Sequence, residues 1–186
     1  VISECAGVLQ YAQTCFEGLK AYTTQHGHIV CFRPDLNAER MENSAARLEM
    51  PVFPKERFLE AVDKVVAANR NYVPPYGSGA TLYIRPYMFG SSEVIGVKPA
   101  KDYQFRMFVT PVGPYFKEGV KPIVIRVSDF DRAAPHGTGH IKAGLNYAMS
   151  LHAIVDAHNK GFEENMYLDP GTRTFVEETG GANFIF

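Results

Sequence analysis

Lys142 sits in the stretch RAAPHGTGHIKAGLNY, Arg132 to Tyr147, with glycines before it at 137 and 139, a turn glycine after it at 144 and a phenol at 147. An ordinary surface lysine needs neither flexible backbone before it nor a fixed aromatic after it. A Schiff-base lysine needs space, dryness and a neighbour for the bond it forms, and such a loop supplies them. A short motif of this kind is weak evidence alone, so the remaining chemistry-bearing residues matter. Arg40, Asn43, Ser44 and Arg47 fall at i, i+3, i+4 and i+7, one face of a helix. That face is either a solvated basic surface or, at Arg40, a guanidinium fork for phosphate oxygens. Tyr83 and Arg85 share strand parity and so face one side of a sheet. They are either a paired surface group or, in a cleft, a carboxylate receptor. His26 and His28 lie at a turn tip with no third ligand nearby, so no metal site is expected.

The elements that must position these residues follow from periodicity. Residues 18–22 and 29–32 alternate apolar and polar around Thr23 to His28 and predict a hairpin. Pro34 to Met50 predicts a helix with Asp35 and Asn37 as candidate caps and Met41, Ala45 and Leu48 on its apolar side. A second helix is expected from about Lys55 to Tyr72, with Phe58, Val62, Val65 and Val66 facing inward and Val73-Pro74-Pro75 ending it. Ala80 to Phe89 reads as a strand ending near Pro86, and Tyr103 to Val112 as another. Further on come a strand at 123–127, the lysine loop, a helix over 146–159 offering Met149, Ile154 and Val155 to a core, and a hairpin of 164–168 with 174–178. Charge, Gly and Pro at 117–122 mark a linker, which divides the chain into a small α+β domain, 1–116, and the start of a larger domain, 123–186.

With 186 residues and 46% hydrophobic content, the chain has enough apolar material for a substantial core. A net charge of −1 offers no field to nucleic acid or to an anionic membrane surface. Three cysteines without a C-x-x-C pair argue against a disulfide framework and for a reducing compartment. No apolar run approaches the roughly 18 residues of a membrane span. A cytoplasmic location is therefore expected. The chain opens at Val1 without methionine and stops in the apolar run Asn183 to Phe186, so a fragment of a longer protein is expected.

Five blocks, in order, resemble the branched-chain amino acid aminotransferases, fold-type IV enzymes of pyridoxal 5′-phosphate. They are Phe16 to Tyr22, Phe32 to Met41, Leu82 to Pro86, Lys142 to Tyr147 and Glu178 to Phe184. The resemblance implies a two-domain α+β fold, with the second domain incomplete here. It implies that Lys142 is the catalytic, cofactor-holding lysine and that Tyr147 donates to the cofactor's ring oxygen. Glu178 would face the ring nitrogen, Arg40 would clamp the phosphate, and the backbone of Thr179, Gly180 and Gly181 would add phosphate contacts. Glu177 is left without a role. A second phosphate site, at a helix N-terminus further along the family's chain, is not reached. Tyr11, Phe16, Tyr83 and Tyr115 would wall an apolar side-chain pocket, with Tyr83 and Arg85 at the carboxylate end. The implied reaction moves an amino group between leucine, isoleucine or valine and 2-oxoglutarate, and the implied assembly is a homodimer or higher homo-oligomer. One departure is Leu145, where the family often has a second glycine. The alternatives are a D-amino acid aminotransferase or an aminodeoxychorismate lyase, against which the Phe16 to Lys20 and Tyr83 to Pro86 blocks argue, or an inactive fragment.

Overall fold

Strand β4, Thr81–Gly90, organises the first of the two units into which the chain divides, Val1–Gly119 and Val120–Phe186. The computed structural model describes residues 1–114 and 121–185. Most of the expected linker at 117–122, and Tyr115, lie outside the described residues. Along β4, Leu82, Ile84, Pro86 and Met88 are buried, while Tyr83, Arg85 and Tyr87 on the other face are half-buried. One edge of β4 pairs antiparallel with β5, Tyr103–Val112, over its whole length. The other edge is shared by β1, Thr14–Phe16, and β2, Leu19–Thr23. β2 continues as a hairpin into β3, Ile29–Cys31, as the alternation predicts. A short helix, α1, Gly7–Tyr11, precedes the sheet and was not foreseen.

The expectation that β4 stops near Pro86 is corrected, since the strand runs through it to Gly90. Pro86 accepts the Glu17 N–H at its carbonyl, 2.8 Å away, opposite the break between β1 and β2. The donor that proline lacks would point at that same break, where no ladder bond is lost.

Helices α2, Pro34–Arg47, and α3, Lys55–Ala68, pack on the buried face of the sheet, with a 3-10 turn at Arg70–Tyr72. Met41 and Ala45 of α2 and Phe58 and Val62 of α3 join Cys15, Leu19, Ala21, Leu82, Ile84 and Met88 in one apolar cluster. Phe53 and Phe105 stack at 3.8 Å beside it. Asp35 and Asn37 do not cap α2. Pro34 starts the helix at its first turn after Arg33 in a left-handed conformation. Asp35 instead pairs with the Arg33 guanidinium, which lowers its carboxyl to about 2, and Asn37 turns toward the sheet.

The second unit is a separate small sheet, in the order β6-β7-β8. β6, Ile125–Val127, runs parallel to β7, Glu164–Leu168, and the connection between them carries α4, Gly144–Asn159. β8, Val176–Thr179, pairs antiparallel with β7 as the hairpin pattern predicts. Gly161, at positive φ, follows the end of α4. α4 begins two residues earlier than expected, and its buried stripe is Asn146, Ser150, Ala153 and Ala157. Met149 and Val155 are each 54% exposed, which corrects their assignment to the core. Small residues let the helix approach its neighbours closely, and the hydrogen bonds of Asn146 and Ser150 make burial of polar side chains tolerable.

Candidate active site

In the second unit, the backbone on both sides of Lys142 is anchored by buried neighbours, Ile141 and Ala143. Asn146 closes the loop onto the first turn of α4. Its amide nitrogen donates to the carbonyls of Thr138 at 2.7 Å and Ile141 at 2.9 Å, and its oxygen accepts the Thr138 hydroxyl at 2.8 Å. The N-terminal turn of α4 brings Tyr147 back over the loop. Lys142 Nζ donates to Tyr147 Oη at 2.8 Å and lies 5.2 Å from its ring centroid.

Arg132, 5% exposed, joins this pair to Glu178. Its Nη1 donates to the Asn146 carbonyl at 2.9 Å, and its guanidinium carbon lies 5.2 Å from the Tyr147 ring centroid. Its Nε is 2.9 Å from Glu178 Oε1, a charge contact that lacks the angle of a hydrogen bond. Glu178, on β8, walls a cleft of about 570 Å³ with Arg132, Pro135, His140, Pro170 and Glu177. The described wall does not include Lys142. Desolvation first, and the Glu178 carboxylate second, push the Glu177 carboxyl above its usual range. Of the run Thr179 to Gly181, the Gly180 N–H donates to the Asn165 carbonyl at 3.1 Å and the Thr179 hydroxyl to the Ala182 carbonyl at 2.6 Å.

In the first unit, Phe16, Tyr83 and Arg85 meet on the sheet face opposite the helices. Arg85 Nε and Nη2 donate to Tyr83 Oη at 3.0 and 2.7 Å, and the Arg85 guanidinium lies 4.5 Å from the Phe16 ring centroid. Phe16, Arg85, Tyr87, Phe108 and Thr14 line a cleft of about 250 Å³ that combines aromatic walls with one cation. Tyr11 stands apart on α1, exposed, its hydroxyl accepting the Gly96 N–H at 2.8 Å. Arg40 reaches the break between β1 and β2 from the other side, through a bidentate ion pair with the buried Glu17. Burial first, and Glu17 second, push the neighbouring Cys15 thiol up to about 12.

Glu17, Arg132 and Asn146 are the residues that sequence reasoning passed over. Glu17 carried a readable signal. It shares parity with the apolar Cys15, Leu19 and Ala21, and a carboxylate on a buried face requires a cationic partner.

Comparison with known proteins adds to this geometry. The family profile described as amino-transferase class IV matches residues 14–186. The branched-chain-amino-acid aminotransferase of Haemophilus influenzae is 50% identical over 189 residues, covering 99% of this chain and 55% of the relative. The chloroplastic branched-chain-amino-acid aminotransferase 5 of Arabidopsis thaliana is 49% identical over 185 residues, covering 99% of this chain and 44% of the relative. The chain thus spans about half the length of the curated relatives it matches. Among solved structures, the branched-chain amino acid aminotransferase from Escherichia coli is similar with a TM-score of 0.75 at 26% identity. That match covers 97% of this chain and 56% of the other. Among the described residues, no helix is long and apolar enough to cross a membrane.

Proposed function

This chain belongs to the class IV aminotransferases, and from that premise we propose that the protein is a branched-chain amino acid aminotransferase using pyridoxal 5′-phosphate. It transfers an amino group reversibly between leucine, isoleucine or valine and 2-oxoglutarate. The observation that carries this reading is the contact of Lys142 Nζ with Tyr147 Oη at 2.8 Å. The donor set of the chain fits the cofactor: an amine for its aldehyde, a phenol for its ring oxygen, a carboxylate for its ring nitrogen and a guanidinium for its phosphate.

When bound, the cofactor supplies an electron sink for negative charge developing at the substrate Cα. Lys142 would hold the cofactor through its Nζ and, as a free amine, would carry a proton to and from the substrate Cα. Tyr147 orients that amine through the hydrogen bond just described. Glu178 would supply the carboxylate that keeps the ring nitrogen protonated. Arg40 would clamp the phosphate through its guanidinium, and the backbone of Thr179 to Gly181 is a further candidate for phosphate contacts. Phe16 and Tyr83 would wall the side-chain pocket, and Arg85 with Tyr83 would receive the substrate carboxylate. Burial in an aromatic pocket favours branched aliphatic side chains, at about 0.8 kcal/mol per methylene removed from water.

We place the protein in the cytoplasm as a homodimer or higher homo-oligomer. The three cysteines are free in the structure, which suits a reducing compartment. A D-amino acid aminotransferase or aminodeoxychorismate lyase activity is not favoured, since the relatives compared carry the branched-chain name. Lys142→Ala tests the reading. The variant loses the borohydride-reducible covalent cofactor adduct, and persistence of that adduct would remove Lys142 from its role. Activity with leucine and not with D-alanine separates the favoured activity from its alternative.

A further inference from the structure

Glu17 has no exposed surface, yet it carries a carboxylate on which several donors converge. Arg40 Nε donates to Oε1 at 2.6 Å and Arg40 Nη2 to Oε2 at 2.8 Å. Asn37 Nδ2 donates to Oε2 at 2.8 Å, and the Gly18 N–H reaches the same oxygen at 3.2 Å. A buried carboxylate is costly to desolvate, and an apolar side chain of similar size would fill the space at less cost. What the carboxylate does that an apolar group does not is hold a guanidinium by one edge. Arg40 is the exposed partner of the pair, with 51% of its side chain accessible. The guanidinium is a rigid planar fork, so fixing its Nε and Nη2 edge fixes the plane and direction of the whole group.

We propose that Glu17 is the positioning residue for Arg40, setting the guanidinium plane in which the phosphate of the cofactor is received. The inference rests on the reading of Arg40 as the phosphate clamp. Two effects of Glu17 oppose each other. Its negative charge repels a phosphate, while its hydrogen bonds remove the rotamer freedom that a long half-exposed arginine would otherwise lose on binding. Replacing the carboxylate by an amide of the same shape therefore gives opposite signs for the two. If orientation dominates, the anion binds more weakly, and if repulsion dominates, it binds more tightly.

The experiment measures equilibrium binding of pyridoxal 5′-phosphate and of pyridoxal, which lacks the phosphate, by the absorbance of the bound compound. The wild-type protein and Glu17→Gln are compared after circular dichroism and thermal melting establish that the variant is folded. The expected result is a rise of about tenfold or more in the Kd for pyridoxal 5′-phosphate. The Kd for pyridoxal should change by less than about twofold, because the group recognised through Arg40 is missing from it. Equal weakening of both compounds would make Glu17 a structural residue and overturn the proposal. Unchanged or tighter binding of pyridoxal 5′-phosphate would overturn it as well. Asn37→Ala, which removes one bond to Glu17 and leaves the ion pair, should show the same phosphate-selective loss at smaller size. It carries the test if Glu17→Gln does not fold, and a loss without phosphate selectivity in Asn37→Ala would then overturn the proposal. Equal affinity of the wild-type protein for the two compounds would defeat the Arg40 assignment itself, and this inference with it.

Discussion

Asp169 shows how much one side chain can organise. Its carboxylate accepts the backbone N–H groups of Thr172 at 2.6 Å and of Thr174 and Phe175 at 2.8 Å, and so shapes the turn that joins β7 to β8 and presents Glu177 and Glu178. Those bonds favour the charged form, the Phe175 bond most, and hold the carboxyl well below its ordinary value of 3.8. A carboxyl depressed in the folded state contributes stability that is fully present above 3.8 and is lost as pH falls through the lower folded value. Asp169→Asn should therefore melt below the wild type at neutral pH, and the gap should narrow progressively as the buffer is taken below about pH 4. Thermal melts across that range check it, and a gap independent of pH would contradict the account. The same scale explains why Lys142 meets Tyr147. Ile141 and Ala143 are buried on either side of the lysine, and Asn146 ties its loop to the helix that carries the phenol.

At the scale of elements, β4 does most of the sorting. Its even positions enter the core, and its odd positions, with Phe16 beside them, make the face on which an aromatic and cationic cleft can form. Gly18 is required by the approach of that face to the strand break. A Cβ at this position would collide with the Tyr83 hydroxyl, the acceptor of both Arg85 bonds. Gly18→Ala should push Tyr83 aside and unmake the Tyr83–Arg85 pair. With the substrate reading proposed above, the expected result is a rise of about tenfold in KM for leucine, the size of one lost charge-assisted hydrogen bond. The borohydride-reducible adduct at Lys142 should form as before. An unchanged KM would mean that the Tyr83–Arg85 face does not receive substrate.

At the scale of the whole molecule, the chain divides into two compact units, and the apolar cluster of the first is built where α2 and α3 meet the sheet. Phe58, 1% exposed, sits inside it at 6.2 Å from the Phe105 ring. Phe58→Ala should cost about 3–5 kcal/mol through lost burial and a residual cavity, read as a lowered urea midpoint. A shift under about 1 kcal/mol would mean that the site collapses around the smaller residue. Most of this architecture was legible in order along the chain. Alternation placed the hairpins, helical spacing placed α2 and α3, and β-former content placed β5 at its observed bounds. The reading faltered where neighbours decide. Pro86 continues a strand because it faces a break in the adjacent edge, and Asn37 leaves its expected cap for a carboxylate on β1's continuation. Met149 and Val155 are exposed because the close approach of α4 selects small and hydrogen-bonded residues instead. The candidate site divides in the same way. Residue types and spacing singled out Lys142 and Tyr147, and the order of the five blocks added Glu178, because an amine, a phenol and a carboxylate each announce their chemistry by residue type. Only the tertiary structure decided that Arg132 links Tyr147 to Glu178 and that Glu17 holds Arg40, because a bond between residues distant in the chain leaves no periodicity in the sequence.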